Sequence, residues 1–308
     1  MSPDPADFAW PAPAKLNLFL HVTGRRDDGF HTLQTLFQFL DHGDRLRFRL
    51  RGDGRIVRHG GLAGLAPEAD LVVRAARALQ ARCGVARGVE IHLHKRLPAG
   101  GGLGGGSSDA ATTLVALNAL WECGLDSAAL AELGLALGAD VPVFVAGEAA
   151  WAEGVGERLI PVHRLLAEAG EGAALAEPWY VVIVPPVSVS TAEIFSDPAL
   201  IRDCPAIKIR DFLAGRVSNV CESVVFRRYP EVARARDALA LRAPARMTGT
   251  GACVFAAFDD EAAAREAAAA LAPDWPLFVA RGCNRSPLQA AVAEWKGLQE
   301  QARGQAQN

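Results

Sequence analysis

The amino-acid sequence predicts an α+β protein with two domains, and its length and residue patterning support this prediction. Half of the 308 residues are apolar, so the chain can bury large cores, and its length suits one large or two moderate domains. Alternating polar and apolar residues predict strands, while apolar residues at helical spacing predict helices between and after them. We expect an N-terminal domain over residues 1–160 and a C-terminal domain over residues 161–308.

Strand patterns dominate the first third of the chain. Residues 15–22 alternate between polar and apolar side chains, which places Lys15 and Asn17 together on one face of a half-buried strand. Further extended segments are expected at residues 30–40, 45–51, 54–59 and 89–95. In the second half, strands are expected at residues 179–184, 252–258 and 277–281.

Helices are predicted between these strands. Residues 71–83 carry apolar side chains at helical spacing, and Gly84 follows them where a left-handed glycine commonly ends a helix. Another helix is expected to end near Trp121. The remaining helices are expected near residues 127–137, ended by Gly138, near residues 261–271, and from about residue 288 onwards.

Charge and cysteine usage narrow the class of protein. The net charge of −3 and the pI near 6.2 give no basic footprint of the kind that nucleic-acid-binding domains carry, so no nucleic-acid partner is expected. The six cysteines are scattered without a CxxC pair, which is typical of reduced thiols in a cytosolic protein and not of a metal site. The N-terminus lacks signal-peptide features, and no apolar run is long enough to cross a bilayer. We expect a soluble cytoplasmic protein, a monomer or a weak homodimer, with no membrane partner.

A glycine-rich segment that begins at Lys95 is the most informative part of the chain for function. It reads KRLPAGGGLGGGSSDAATTL and places six glycines among the seven residues 100–106. Glycine can adopt positive φ and leaves backbone N–H groups uncovered, while Ser107, Ser108 and Asp109 are expected to cap the helix that follows. Because N–H groups at a helix N-terminus attract anions, the segment predicts a loop that binds a phosphate chain.

Other interpretations of this loop can be weighed from the residues themselves. A P-loop requires a lysine directly after its last glycine, and Ser107 occupies that position. The dinucleotide pattern GxGxxG is matched by Gly100, Gly102 and Gly105, but the preceding strand is half polar and no strand-ending acid follows about twenty residues later. A flexible glycine linker would not be framed by a patterned strand and a capped helix. A loop that binds phosphate through its backbone is therefore favoured.

Four segments of the chain resemble, in order and spacing, the motifs of the GHMP small-molecule kinases. They are PAPAKLNLFLHVTGRRDDGFHTLQTLFQFLDHGD, KRLPAGGGLGGGSSDAA, LGADVPVFV and RMTGTGACVFAAF, and the resemblance extends from about Trp10 to Leu288. It implies a ribosomal-S5-like N-terminal domain and a ferredoxin-like α/β sandwich as the C-terminal domain. It also implies a kinase that transfers a phosphoryl group directly from ATP with Mg²⁺, the metal being held mainly by the phosphates.

The resemblance assigns the ATP site to the glycine-rich segment. Its backbone N–H groups would offset charge on the phosphate oxygens, and the hydroxyl of Ser107 or Ser108 would contact a phosphate or the metal. Asp70 stands where related kinases often carry an asparagine near the nucleotide base, which leaves the nucleotide preference open. The residues expected to bind ATP are Pro98, Ala99, Gly100, Gly101, Gly102, Leu103, Gly104, Gly105, Gly106, Ser107 and Ser108.

Lys15 and Asp140 are the catalytic residues that the resemblance implies. Asp140 lies in a turn before Pro142 and matches the aspartate proposed as the base in this family. Lys15 would accompany it and lower the pKa of the acceptor hydroxyl. The residues alone leave simpler alternatives, since an aspartate near a turn usually bonds locally and a lysine on a strand face is usually solvated. Asn17 shares the face of Lys15 and is expected to bind the acceptor.

The segment GFH implies an acceptor that carries a cytidine diphosphate group on a sugar alcohol. The resemblance implies that Phe30 and Phe195 stack on the cytosine and that His31 forms a hydrogen bond with it, while Thr191 lies nearby. Without the resemblance, the two phenylalanines would be interpreted as core residues and His31 as an ordinary strand residue. The expected acceptor-binding residues also include a turn that approaches the diphosphate or the glycine loop: Thr248, Gly249, Thr250 and Gly251.

Two other functions are consistent with the same motifs. Another kinase of this family, such as a homoserine or mevalonate kinase, would not need the slot formed by Phe30, His31 and Phe195. A nucleotide-sensing protein without catalysis would bind ATP on the same fold, but it would not need both Lys15 and Asp140.

Overall fold

The structure is a computed structural model that describes residues 7–62, 64–170 and 174–306. Residues 1–6, which belong to the N-terminal stretch expected to lack signal-peptide features, lie outside the described residues. Runs of consecutive strands and runs of consecutive helices follow one another along the chain, and the strands join into one mostly antiparallel sheet, so the predicted α+β class is confirmed. None of the described helices has the length and apolar character needed to cross a membrane.

The secondary structure follows the predicted order closely. The strands are β1 (Trp10–Arg25), β2 (His31–Arg51), β3 (Ile56–Gly60), β4 (Gly88–His94), β5 (Ala150–Glu153), β6 (Arg158–Pro161), β7 (Trp179–Ile183), β8 (Ala245–Met247), β9 (Val254–Phe258) and β10 (Leu277–Cys283). The helices are α1 (Leu71–Cys83), α2 (Gly105–Leu120), α3 (Ser127–Leu135), α4 (Val141–Ala146), α5 (Val162–Glu168), α6 (Thr191–Ser196), α7 (Ile209–Leu213), α8 (Glu222–Arg228), α9 (Pro230–Ala240), α10 (Glu261–Leu271) and α11 (Pro287–Ala306), with one 3₁₀ turn at Pro67–Ala69.

One long strand connects the two halves of the molecule. Among the described residues, strands β3, β4, β2, β10, β7, β9 and β8 lie side by side in this order, while β1 pairs along β2 and β5 pairs with β2 and β6. All of these pairs are antiparallel except β3 with β4. The short pairing of Leu40 with Gly282 and of Phe39 with Cys283 joins the N-terminal strands to the C-terminal ones. A cleft between the halves therefore has β1 and β2 as its floor.

The last helix returns to the N-terminal half. Trp295 on α11 is 3% exposed and lies against Phe8 and Trp10, with ring centroids 5.3 and 5.9 Å away. These aromatic rings belong to the core that α1, α2 and α4 form against β1, β2 and β4. A separate core fills the C-terminal half between α8, α9, α10 and the strands β7 to β9. The division between residues 160 and 161 stays a prediction, and α11 packs across it.

Two local predictions require correction. Residues 30–40 and 45–51 form parts of the single strand β2 and not two strands, because pairing with β1 continues through the polar residues between them. The predicted caps Ser107, Ser108 and Asp109 lie inside α2, whose N-cap is Gly104 with φ of 72°. The left-handed backbone at Gly104 lets the helix begin one turn earlier than the side chains suggested, and the N–H of Ser108 already donates to the carbonyl of Gly104 at 2.8 Å.

Candidate active site

A cavity of about 570 Å³ opens between the two halves of the molecule. Its walls are the glycine loop, Lys15 and Asn17 on β1, Asp140 before α4, and one face of α6. The predicted ATP-binding residues Pro98–Ser107 line this cavity, together with Thr191, Phe195, Gly249 and Thr250 from the predicted acceptor site. The fold thus brings together segments that are more than two hundred residues apart.

Backbone hydrogen bonds hold the glycine loop on both sides. The amide of Lys15 donates to the carbonyl of Leu103 at 3.0 Å, and this bond ties the loop to β1. From the C-terminal half, the amides of Ala252 and Cys253 donate to the carbonyls of Gly100 and Gly101, both at 3.1 Å. These bonds hold the glycine loop in a defined conformation, so it is not a flexible linker. The amides near the start of α2 face the cavity.

Close packing explains why two loop positions require glycine. Gly102 has φ of +73°, and a Cβ atom there would lie 2.2 Å from the carbonyl oxygen of Thr248. Gly104 has φ of +72°, and a Cβ atom there would lie 2.8 Å from the ring of Phe144 and 3.1 Å from Cε of Lys15. Positive φ together with these contacts excludes side chains at both positions.

Lys15 and Asp140 form an ion pair in the wall of the cavity. The Nζ atom of Lys15 lies 3.4 Å from Oδ2 of Asp140, and it also donates to Oδ1 of Asn17 at 2.6 Å and to the carbonyl of Gly102 at 3.1 Å. The lysine side chain is 4% exposed, whereas the Asp140 side chain is 35% exposed. Asp140 occupies the N-cap position of α4, but its side chain forms no capping bond. The carboxylate therefore stays available at the cavity surface. Asp140 does not bond locally in its turn, and Lys15 is not a solvated strand residue.

A buried polar network positions Asn17 and the turn Thr248–Gly251. The amide of Asn17 donates to Oγ1 of Thr248 at 2.9 Å, and Oγ1 of Thr248 donates to the carbonyl of Gly102 at 3.2 Å. The side-chain amide of Asn17 donates to Oγ1 of Thr35 at 2.9 Å. Asn219 supports the same turn by donating to the carbonyls of Met247 and Gly249 at 2.9 and 2.8 Å. Thr248 is fully buried, so its hydroxyl joins the turn to the glycine loop, and it does not line the described cavity.

The two serines after the glycines have different surroundings. Ser107 lines the cavity, whereas Ser108 is fully buried behind it. The hydroxyl oxygen of Ser108 has no hydrogen-bond partner among the described residues. Of the two candidates, Ser107 has the hydroxyl that faces the cavity space.

A buried charge cluster under the glycine loop was not predicted. Lys95 Nζ lies 2.7 Å from Oδ2 of Asp109 and is also hydrogen-bonded to Asp44. Asp44 is fixed further by the backbone amides of Arg96 and Leu97, while Oδ1 of Asp109 is buried with no partner in the described part of the chain. One lysine cannot neutralise two carboxylates, so this cluster favours one additional proton.

Asp109 is the group in this cluster that binds the proton. Burial raises the pKa of Asp109, the charge of Lys95 lowers it, and the carboxylate of Asp44 raises it again, with a result of about 8. Burial lowers the pKa of Lys95, but the two carboxylates outweigh burial and raise it. Asp109 lines the cavity and is neutral in part near pH 7. The three residues of this cluster lie in three separate segments of the chain, so the sequence alone could not show that they are in contact.

The end of the cavity beside α1 contains another buried ion pair. Oδ2 of Asp70 lies 3.2 Å from Nε of Arg58, and both side chains are less than a tenth exposed. Asp70 also caps α1 by accepting a hydrogen bond from the amide of Val72 at 2.9 Å. Leu62 and Leu65 line the same end of the cavity, and the carbonyl of Leu65 accepts a hydrogen bond from Arg58 at 3.1 Å. The Asp70 carboxylate thus has structural partners, and the adjacent cavity wall is apolar.

The predicted acceptor residues are brought together only in part. Phe195 lines the cavity and stacks on His31, with ring centroids 5.2 Å apart and an interplanar angle of 22°. Thr191 and Thr250 both line the cavity and share a hydrogen bond of 2.9 Å between their hydroxyls. Phe30 is 63% exposed on the turn before β2 and does not line the described cavity, so its stacking role stays a prediction.

Arg202 is a neighbour of this site that the sequence analysis missed. Its Nε donates to Nε2 of His31 at 3.0 Å, and its other nitrogens donate to the carbonyls of Phe195, Asp197 and Leu200. Burial and then the positive charges of Arg202 and Arg25 lower the pKa of His31. No sequence spacing links Arg202 to His31, since they are separated by most of the chain.

Comparison with known proteins places this geometry in a family. A model of the GHMP kinase N-terminal domain matches residues 70–148, and a model of the GHMP kinase C-terminal domain matches residues 206–276. The chain is 58% identical over 278 residues to the 4-diphosphocytidyl-2-C-methyl-D-erythritol kinase of Pseudomonas aeruginosa (strain LESB58), covering 90% of this chain and 95% of the relative. The enzyme of the same name from Nitrosococcus oceani is 57% identical over 279 residues, 91% of this chain and 96% of the relative.

Solved structures agree with the sequence relatives. A crystal structure of 4-(cytidine 5'-diphospho)-2C-methyl-D-erythritol kinase superposes with a TM-score of 0.75 at 34% identity, covering 89% of this chain and 98% of that one. The mevalonate kinase of Methanococcus jannaschii superposes with a TM-score of 0.66 at 16% identity, covering 92% of this chain and 100% of that one, which shows a shared fold alone. The chain belongs to the GHMP kinases and, within them, to the family of 4-diphosphocytidyl-2-C-methyl-D-erythritol kinases.

Proposed function

We propose that this chain transfers the γ-phosphoryl group of ATP to the 2-hydroxyl of 4-diphosphocytidyl-2-C-methyl-D-erythritol, which gives the 2-phosphate and ADP. The reaction would belong to non-mevalonate isoprenoid precursor biosynthesis. The observation that supports it most directly is the Lys15–Asp140 ion pair in the wall of the cavity that the glycine loop lines. GHMP kinases use ATP as the phosphate donor, and the names of the relatives at 57–58% identity indicate the acceptor.

Asp140 is the proposed general base. During transfer, the acceptor oxygen forms a bond to the γ-phosphorus while the bond to the leaving oxygen of ADP breaks, and the acceptor hydroxyl loses its proton. The half-exposed carboxylate of Asp140 can accept this proton, because its side chain faces the cavity and forms no capping bond. Lys15 is fixed by Asn17 and Gly102, so it holds one positive charge beside the developing alkoxide.

The glycine loop is proposed to bind the phosphates through its backbone. Amides at the start of α2 lie at the positive end of the helix dipole, where negative charge is stabilised. The Ser107 hydroxyl and the Asp140 carboxylate in the cavity wall are oxygen ligands of the type that Mg²⁺ takes, so they would hold an ion bound with ATP, which would supply further positive charge against the phosphates. The apolar wall near Leu62 and Leu65 suits the nucleotide base.

His31 and Phe195 are proposed to recognise the cytosine. Phe195 lines the cavity and stacks on His31 behind it, so a flat base in the cavity can contact the ring of Phe195. Thr191 and Thr250 line the same cavity and are hydrogen-bonded to each other, so we propose that their hydroxyls donate to the diphosphate of the acceptor. Another GHMP kinase, for homoserine or mevalonate, would have no use for this aromatic pair.

A coupled ADP-release assay tests the proposal. We expect turnover with ATP and the cytidylated acceptor, and none with mevalonate or homoserine. Asp140→Asn should lower kcat by a factor on the order of 10² to 10⁴ with an unchanged fold. The control Asp126→Asn alters the exposed N-cap residue of α3 and should retain turnover. A folded Asp140→Asn protein with wild-type turnover would exclude Asp140 as the base, and ATP binding without any ADP release would favour a nucleotide sensor.

A further inference from the structure

A second cavity lies on the outer face of the N-terminal sheet, away from the site described above. It has a volume of about 280 Å³, and its polar lining consists of two arginines and three histidines: Arg45, Arg47, His59, His92 and His94. The cavity is lined by no acidic residue among those that the structure describes. The neighbouring sheet positions Leu46, Phe48 and Ile91 belong to the core on the opposite face, while Leu93 belongs to this core and also lines the cavity.

Strand register brings these five side chains together. Arg45 lies opposite His94 and Arg47 lies opposite His92 in the antiparallel pair of β2 and β4. His59 lies beside His92 in the parallel pair of β3 and β4, and their rings stack with centroids 4.7 Å apart. Residues that face each other on adjacent strands project to the same side of a sheet. The cationic lining is therefore a consequence of the alternating sequence RLRFRLR and its partner strands.

Among the residues that the structure describes, the charges of the two lining arginines have no partner. Within the described residues, neither Arg45 nor Arg47 forms an ion pair, whereas Arg51 on the same strand is paired with Asp53 and Glu90. The whole chain carries a net charge of −3, so this face is a local exception to the overall charge. Two guanidinium groups around a small concave space are suited to bidentate hydrogen bonds with phosphate oxygens.

We propose that this cavity binds a small phosphorylated anion, either inorganic pyrophosphate or an organic phosphate of similar size. The cavity has about half the volume of the larger one (280 against 570 Å³), which favours a small anion over a nucleotide. The phosphate oxygens accept hydrogen bonds from Arg45 and Arg47, and the imidazoles of His92 and His94 contribute ring N–H donors. This site is separate from the proposed catalytic reaction and does not depend on it.

A divalent metal is the competing occupant of the same face. Ligand atoms of His59, Glu90 and His92 lie within 4.8 Å of one another. However, Glu90 is already engaged by Arg51, and Arg49 lies opposite it on β2. The surrounding guanidinium groups repel a cation and attract an anion, so the charge distribution favours the phosphorylated ligand.

Histidine ring NMR can test the proposal at the site itself. Inorganic pyrophosphate and glycerol 3-phosphate are titrated separately into the full chain, with the larger cavity saturated by ADP and no divalent cation present. We expect saturable shifts of the ring signals of His59, His92 and His94, while the exposed His163 on α5 stays unchanged. Comparison of the two titrations shows whether the inorganic or the organic phosphate is preferred, and saturation by either one supports the proposal.

Matched arginine variants distinguish specific binding of phosphate in the cavity from general electrostatic attraction to this face. Arg47→Gln should weaken binding at least about tenfold, since it removes a charge-assisted hydrogen bond. Arg49→Gln removes a charge from the same strand face but outside the cavity lining, and it should have a much smaller effect. Equal losses in both variants, or no response of the three histidines to either phosphate, would overturn the proposal. A response to stoichiometric Zn²⁺ without a response to phosphate would assign the face to a metal.

Discussion

Arg202 fixes the tautomer of His31, whose ring stacks on Phe195 in the wall of the cavity. Its Nε atom donates to Nε2 of His31 at 3.0 Å, so the proton of the neutral imidazole resides on Nδ1. Burial, followed by the charges of Arg202 and Arg25, lowers the pKa of His31 and keeps the ring neutral at physiological pH. The ring is held parallel to Phe195 at the same time. A cytosine that binds here, as proposed above, would meet one defined hydrogen-bond donor, Nδ1–H of His31.

Arg202→Gln should therefore affect the acceptor and not ATP. Without the arginine charge, the pKa of His31 rises towards its ordinary value, and the two imidazole tautomers become more equally populated. We expect the KM for the cytidylated acceptor to increase by about tenfold, as for one lost oriented hydrogen bond, with the KM for ATP unchanged. Ring ¹⁵N NMR of His31 reports the tautomer and the pKa directly.

Arg210→Gln is the matched control for this experiment. Arg210 also donates to a backbone carbonyl, that of Ala169, but it lies on the surface away from His31. Its replacement should leave both KM values and the His31 signals unchanged. The positioning role of Arg202 is contradicted if Arg202→Gln raises the KM for ATP and for the acceptor equally, or if the His31 tautomer does not change.

Asp109→Asn should stabilise the protein in a pH-dependent way. Burial raises the pKa of Asp109 to about 8, so the folded chain binds this proton more tightly than the unfolded chain, whose aspartates titrate near pH 4. The stabilisation from the bound proton is complete below about pH 4 and is lost as the pH rises to about 8, on the order of 1 kcal/mol per pH unit. Asparagine mimics the protonated carboxyl and does not titrate.

Thermal unfolding at several pH values measures this effect. The difference in Tm between Asp109→Asn and the wild type should increase in favour of the variant from pH 5 to pH 8. The Tm of the wild type itself should fall between pH 5 and pH 8. A Tm difference that is the same at both pH values would show that Asp109 is ionised in the folded chain throughout, and that Lys95 compensates both carboxylates.

The sequence predicts helix bounds well where the signals are local. The bounds of α1 were predicted to the residue, because apolar spacing lies within the helix and Gly84 adopts the left-handed conformation directly after it. The start of α2 was missed, because Gly104 begins the helix through its backbone and carries no side chain that marks a cap. Local patterns therefore identify elements more reliably than the irregular backbone between them.

Contacts in the site could be predicted from the sequence only for residues that belong to a family motif. Lys15 and Asp140 were expected together through the family resemblance, and they lie 3.4 Å apart at their charged atoms. The contacts of Lys95 with Asp109 and of Arg202 with His31 depend on how strands and helices pack, and no periodicity records such packing. Phe30 shows the opposite case, because the motif predicts a role and the turn leaves the ring exposed.

Trp295→Ala should show that α11 belongs to the N-terminal core. Trp295 is 3% exposed and packs on Phe8 and Trp10, so truncation leaves a large cavity in that core. We expect a loss of about 3–5 kcal/mol in the free energy of unfolding, measured by urea denaturation. Glu294→Ala changes the exposed neighbour and should cost less than about 0.5 kcal/mol. Equal losses in the two variants would place α11 outside the cooperative core.

Gly102→Ala should disrupt both the glycine loop and the catalytic lysine. The new Cβ atom would lie 2.2 Å from the carbonyl oxygen of Thr248 at a φ of +73°, so the loop must move away from the turn of the C-terminal half. We expect a destabilisation of at least about 2 kcal/mol, from the left-handed backbone and the steric overlap together. Because Lys15 Nζ donates to the carbonyl of Gly102 at 3.1 Å, kcat should fall even at temperatures where the variant is folded.

Gly106→Ala distinguishes this effect from a general intolerance of the loop to alanine. Gly106 lies inside α2, and the nearest atom to a new Cβ would be 3.6 Å away on Leu71. Alanine is favoured over glycine in a helix by roughly 0.5–1 kcal/mol, so this variant should be at least as stable as the wild type. Thermal unfolding and the ADP-release assay are compared for both variants. If Gly102→Ala unfolds at the same temperature as Gly106→Ala and keeps its turnover, the contact between Gly102 and Thr248 does not hold the loop in place.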